Sequence, residues 1–315
     1  MTSRQLQIDG GRKAGCWDKG INVRSSNVGF MYFDITMPLT LFVVTLVSLF
    51  LNPKTEGKLK ENLQERPMGV RDAVMLVVLM SVMIYLIVFV RDISYVLMAL
   101  YLFAYSLLLF TFTYLFSKSR WYLGILPPAV FILLYVFLGV VRDDYLWTYY
   151  LANVFGLIFA VLITLYLVGL FTWKTTAIFG VLLTAMDIIL VLVTKTMVQA
   201  AKVAVSLNLP VLVSLPLIPP AAGLGVSMIS LGLGDFFFAG LLDVQTSKKY
   251  GKRFAIMCAV AMSISFFIFE TLLLNFWRIP FAGTLMIISG WAPMVIWKQF
   301  SVRKSTRSGL TAPAV

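Results

Sequence analysis

Residues 175–194 read TTAIFGVLLTAMDIILVLVT, twenty positions of which only Asp187 is charged. A helix rises 1.5 Å per residue, so a run of roughly 20 apolar residues crosses about 30 Å of hydrocarbon. The stretch reads as a membrane-crossing helix that holds one carboxyl. An ionisable group at that depth is costly, which makes it a functional candidate by default.

The rest of the chain has the same character. Of 315 residues, 60% are apolar and 13% charged, a balance that soluble domains of this size do not normally show. Nine stretches are long and apolar enough to cross: 30–51, 73–90, 93–116, 121–141, 147–171, 175–194, 223–244, 254–276 and 279–297. The expected fold class is all-α, a polytopic transmembrane helical bundle of about nine spans. It divides into a polar basic arm (1–28), a scaffold of spans one to five (29–171), a core of spans six to nine (172–297) and a basic tail (298–315).

The net charge of +12 fits positive loops facing the cytoplasm and anionic lipid, and does not require nucleic acid. Nine spans put the termini on opposite faces. The face opposite the N-terminus holds the larger share of Lys and Arg, including Lys54, Lys58, Lys60, Arg66, Arg71, Lys248, Lys249, Lys252, Arg253 and the tail. This predicts an integral multi-pass membrane protein with its N-terminus outside and its C-terminus cytoplasmic. The arm over 1–28 lacks the apolar centre of a signal peptide, and the charged linker over 52–71 reads as a short solvated helix or as irregular chain.

Histidine is absent, which excludes Ser-His-Asp and Cys-His nucleophile systems and HExxH zinc chemistry. The two cysteines fall apart, Cys16 in the polar arm and Cys258 in a span, so neither a disulfide nor a thiol metal site is supported. Nothing indicates a cofactor.

Of the fourteen acidic residues, Asp34, Asp187, Asp235 and Glu270 lie inside predicted spans. Asp187 and Asp235 each fall about twelve residues into the sixth and seventh spans. Consecutive spans run antiparallel, so the two side chains arrive at similar depth and can face each other. Two carboxylates close together in low dielectric cannot both ionise, and the pair holds a single proton. One member can then take a proton from water while the other donates to a carbonyl oxygen. Glu270 reads first as an interhelical hydrogen-bonding group, Asp34 as interfacial, and Lys195 and Lys202 as reaching to headgroups. Trp121, Trp147, Tyr149 and Tyr150 read as an interfacial aromatic belt. Pro127 and Pro128 predict a kink. The segment 196–208 is amphipathic, and 209–220 is broken by Pro210, Pro216, Pro219 and Pro220, which predicts an unwound entrance beside the seventh span.

Ser230-Leu231-Gly232-Leu233-Gly234-Asp235 places two glycines directly before the second carboxylate. A side-chain-free edge there admits an extended strand close to the carboxyls. Close helix packing through small residues accounts for the glycines equally well.

Gly232-Leu233-Gly234-Asp235 resembles the Gly-x-Gly-Asp motif of presenilins and signal peptide peptidases. The run LGLGDFFFAGLL over 231–242 is similar to archaeal presenilin-like proteases. The resemblance also takes in Asp187 within AMDIILVLVTKTM and the later Leu209-Pro210, and covers about 179–290. It implies an intramembrane aspartyl protease of a prokaryotic, archaeal type of cell membrane, with Asp187 and Asp235 as the catalytic pair. Gly232, Leu233 and Gly234 would border the substrate, which would be a transmembrane protein segment or signal peptide. Two positions depart from the family. Met186 stands where a Tyr usually precedes the first aspartate, and the Pro-Ala-Leu motif of the last span has no copy. Its nearest counterpart is Pro280-Phe281-Ala282-Gly283, which the resemblance would place at the substrate; Ala292-Pro293 lies further on.

Two other readings stay open. A proton- or cation-coupled transporter or channel explains buried carboxylates, though not the adjoining Gly-x-Gly. An inactive relative would bind membrane segments without cutting them.

Overall fold

The computed structural model describes residues 32–63, 68–89, 94–117, 120–219, 228–277 and 279–309. The arm over 1–28, with Cys16, and the start of the expected seventh span at 223–227 lie outside them. Ten α-helices and one pair of strands follow in the order α1 (Thr36–Leu63), α2 (Val70–Phe89), α3 (Ser94–Phe116), α4 (Trp121–Leu134), α5 (Ala152–Val168), α6 (Trp173–Ile188), α7 (Thr196–Ser206), β1 (Leu212–Pro216), β2 (Met228–Gly232), α8 (Leu233–Tyr250), α9 (Lys252–Leu272) and α10 (Gly283–Gly309). Wider π turns extend α4 over Tyr135–Val141, precede α5 over Trp147–Leu151, extend α6 over Ile189–Val193 and extend α9 over Leu273–Trp277. Seven of these helical segments are long and apolar enough to cross a membrane, a content compatible with an integral membrane protein. They are α1 to α6 and α9, counted with their π turns.

The helix starts follow local chemistry. Thr172 and Thr175 form a reciprocal capping box at the head of α6, which satisfies amides that the first helical turn leaves without partners. Asp34 does the same for α1: its carboxylate accepts from the Thr36 amide at 3.1 Å, the Met37 amide at 3.0 Å and the Ile218 amide at 3.2 Å. Asp34 is therefore a buried cap at the head of the first long apolar helix. It also ties the exit of β1 to the head of α1, because the Thr36 hydroxyl donates to the Pro216 carbonyl at 3.0 Å.

The charged linker takes one of the two expected forms as far as Leu63, because α1 runs on through Pro53. Trp147 leaves the aromatic belt for the core: it is fully buried, and its indole N–H donates to the Asn208 carbonyl at 2.9 Å. Trp121 and Tyr150 are exposed. α4 runs through Pro127 and Pro128 as a helix and widens at Tyr135. The described residues are mostly helical, as expected, with one addition: β1 and β2 form an antiparallel pair with Leu212 opposite Gly232 and Pro216 opposite Met228. β1 comes from the proline-broken segment expected to be unwound. Prolines cannot donate to a sheet ladder, and Pro216 closes the strand.

The seventh span is corrected as well. Its first described residues, 228–232, are strand, and the helix begins only at Leu233. α8 packs against α1, α5, α6, α9 and α10. Phe236 to Thr246 are buried without interruption, so α8 is a central helix with protein on every side. α2, α3 and α4 carry large exposed apolar side chains such as Met75, Phe103 and Leu133.

Candidate active site

Three helix ends and the strand pair meet at the two aspartates. Asp187 lies near the end of α6, two residues before the Ile189–Val193 π turn begins. Asp235 lies in the first turn of α8 rather than twelve residues into a span. The local reason is legible in Gly232-x-x-Asp235. Gly232 is the N-cap residue of α8, with extended φ of −70° and ψ of 147°. Asp235 stands three residues on, with its carboxylate against Gly232: a Cβ on Gly232 would lie 3.3 Å from Oδ2. An acid in the first turn also sits well at the positive end of the helix dipole.

The third component is the head of α10. The Thr284 hydroxyl donates to Asp187 Oδ2 at 2.6 Å, and the Thr284 amide donates to the same oxygen at 3.4 Å. The neighbouring Gly283 faces the other carboxyl: a Cβ there would lie 2.6 Å from Asp235 Oδ1, 2.7 Å from Cγ and 2.9 Å from Oδ2. Consecutive α-carbons are about 3.8 Å apart, so the two carboxyls sit against adjacent residues of one helix end. Both aspartates are half-buried.

The other candidate residues divide. A Cβ on Gly232 would come within 3.3 Å of Asp235 Oδ2, whereas Gly234 is exposed and a Cβ there would meet nothing within 4 Å. Leu233 is buried and faces α5, where a Cβ on Gly156 would lie 3.5 Å from its Cδ2. Of Pro280, Phe281, Ala282 and Gly283, only Gly283 has a recorded contact with a catalytic candidate. Pro280 is exposed, Phe281 stacks on Phe269 with centroids 5.9 Å apart, and Ala282 is fully buried. Met186 is half-buried beside Asp187. Lys195 and Lys202 are both exposed.

The strand pair has two unlike faces. Side chains alternate along a strand, and Val213 and Leu231 are buried while Ser214 and Ser230 face the other way with their hydroxyls 2.7 Å apart. Gly232 shares the serine face by the same alternation, and that is the face from which it meets Asp235. That face carries Ser214 and Ser230 at its middle and ends at Gly232, beside the Asp235 carboxyl.

Two contributors escaped the sequence reading: Thr284 and the strand pair. No local pattern marks Thr284, since a single Thr after a Gly is common. Asp243 falls at the end of the predicted span, but in α8 it is fully buried, and both its carboxylate oxygens lack a hydrogen-bond partner among the described residues. Glu270 is also buried, and its Oε2 lacks a partner among those residues. No family model and no curated protein matches the chain.

Proposed function

We propose that this chain is an intramembrane aspartyl protease of the presenilin and signal peptide peptidase kind, hydrolysing peptide bonds in or beside transmembrane segments or signal peptides. The observation that carries the reading is the convergence of Asp187 and Asp235 on Gly283 and Thr284. One carboxylate takes a proton from water as the water oxygen bonds to the scissile carbonyl carbon, and the other carboxyl donates its proton to the carbonyl oxygen. Collapse of the tetrahedral diol breaks the C–N bond: the amine leaves with the proton of the protonated carboxyl, and one diol hydroxyl returns its proton to the ionised carboxylate as the new carboxylic acid forms. The pair then again holds one proton, which belongs to both carboxyls jointly. No nucleophilic side chain is used.

The nine-span architecture belongs to the same proposal, with α8 and α10 as crossings beyond the seven most apolar segments. A helix enclosed by protein need not be apolar enough for lipid, and α8 is enclosed. That accounts for Asp235, Asp243, Gln245 and Thr246 on one crossing helix. Gly232 and Gly234 leave the approach to Asp235 free of side chains, which suits a substrate unwound into an extended strand.

The test is cleavage of a panel of transmembrane peptides by purified protein in detergent or lipid, read by mass spectrometry. Wild type is expected to cut, and Asp187→Ala and Asp235→Ala are each expected to abolish cutting. A folded wild type that cuts no substrate of either orientation would overturn the proposal. The buried Asp243 favours a second reading, proton- or cation-coupled transport. Proton-coupled flux in vesicles that disappears in Asp235→Asn, without proteolysis, would establish it instead.

A further inference from the structure

α5 belongs to the expected scaffold, where side chains serve packing alone, yet one of its polar residues is spent on β1. The Asn153 Nδ2 donates to the Ser214 carbonyl at 2.7 Å, and the Ser214 amide donates to Asn153 Oδ1 at 2.7 Å. The second Nδ2 hydrogen goes to the Tyr149 carbonyl on the same helix at 2.8 Å. Asn153 is buried, and all its donors are used. A carboxamide carries one donor and one acceptor side by side, as a strand residue does. Asn153 therefore acts as a one-residue third strand on the edge of β1 away from β2.

We infer that Asn153 is a positioning residue for Asp235, acting through β1, β2 and the head of α8; the inference rests on the protease reading for its catalytic consequence. The fork fixes which residue of β1 lies against α5. A slip of one residue would turn Val213 out of the core and Ser214 into it. A slip of two would be needed to offer the fork another outward-facing amide and carbonyl. A second contact a turn along α5 sets the same height: a Cβ on Gly156 would lie 3.3 Å from Val213 Cγ2 and 3.6 Å from the Pro210 carbonyl. The register then passes to the site. Leu212 pairs with Gly232, the Leu233 amide donates to the Val211 carbonyl at 3.2 Å, and Gly232 lies against the Asp235 carboxylate, where a Cβ would fall 3.3 Å from Oδ2. A shift of β1 on α5 moves each of these together.

The experiment compares wild type with Asn153→Leu and Asn153→Asp in the full-length protein, with two readouts. Hydrogen exchange followed by mass spectrometry over 212–216 and 228–232 reads the strand pair without reference to activity. Cleavage of a transmembrane peptide gives kcat, KM and the distribution of cut sites. Asn153→Leu removes both hydrogen bonds, so exchange over 212–216 is expected to quicken roughly ten- to a hundredfold. kcat is expected to fall by a similar factor with KM nearly unchanged, and the cut sites to spread. Asn153→Asp keeps the acceptor for the Ser214 amide and loses the donor to its carbonyl, so its exchange is expected to lie between the other two. It serves as the deciding variant if Asn153→Leu does not fold. Unchanged exchange in the folded variants overturns the inference whatever the activity. Quickened exchange with kcat and cut sites unaltered overturns the link to Asp235. If wild type cuts nothing, the protease reading fails by itself, and exchange alone decides whether Asn153 sets the strand pair.

Discussion

Gly283 and Gly234 both neighbour Asp235 and have opposite surroundings. A methyl group on Gly283 would overlap the Asp235 carboxylate at 2.6 to 2.9 Å, whereas one on Gly234 would meet no protein atom within 4 Å. Gly283→Ala is expected to displace Asp235 and abolish peptide cleavage. Gly234→Ala is expected to leave the unfolding midpoint unchanged or slightly raised, since Ala suits a helix better than Gly, and to impair cleavage only through the substrate. Wild-type cleavage by Gly283→Ala would contradict the site geometry. Thr284 supports Asp187 from the next position. A hydrogen bond to a charged group contributes about 1.5–3 kcal/mol, so Thr284→Val is expected to lower kcat roughly ten- to a hundredfold. Thr284→Ser keeps the hydroxyl and is expected to retain most activity; equal losses in both variants would mean that the hydroxyl does not matter. Asp187 and Asp235 could be picked out from sequence because a charge in an apolar run stands out against its neighbours. Gly283 was singled out only within a four-residue stretch, and Thr284 not at all, because what distinguishes them lies across the bundle.

At the scale of elements, α8 shows how a span can be read with the right residues and the wrong boundaries. The apolar run from 223 does not announce that 228–232 pair with 212–216, since short apolar strands and helix segments look alike in sequence. The Gly232-x-x-Asp235 spacing was a helix-start signal within reach of the sequence; placing it at mid-span hid it. Packing around α8 is close: a Cβ on Gly240 would lie 2.7 Å from Thr164 Cγ2 and 3.5 Å from Ser48 Oγ. Gly240→Ala is therefore expected to destabilise the protein by about 1–3 kcal/mol, read as a lower unfolding midpoint in detergent. Asp243, three residues further along, has the opposite expectation. Its carboxylate has no partner among the described residues, so Asp243→Asn is expected to keep cleavage intact with an unchanged or higher midpoint. Loss of cleavage in that variant, with the fold preserved, would mean that the Asp243 carboxyl takes part in the reaction.

At the scale of the molecule, nine crossings would place the termini on opposite faces. The end of α8 (Lys248, Lys249), the start of α9 (Lys252, Arg253) and the tail carry much of the basic charge, and Lys248 pairs with Glu56 of α1 at 2.9 Å. The C-terminal tail is expected on the cytoplasmic face, and protease protection of a tagged tail in oriented vesicles measures it. A tail protected on the outer face would reverse the orientation. In the expected orientation, reporter substrates with a cytoplasmic N-terminus are expected to be cut preferentially, and equal cleavage of both orientations would remove the preference.

Sequence by itself determined the long apolar helices and the two aspartates that stand out within the predicted spans. Both are properties of composition over some twenty residues, because transfer into hydrocarbon is close to additive along a helix and one carboxyl is conspicuous there. Only the tertiary structure decided that α8 starts at Leu233, that Trp147 and Asp34 are buried, and that Asp187 and Asp235 meet at Gly283 and Thr284. Those outcomes depend on contacts between segments far apart in the chain, such as Asn153 with Ser214 and Asp187 with Thr284. A hydrogen bond formed across a bundle leaves no periodicity in either partner's own sequence.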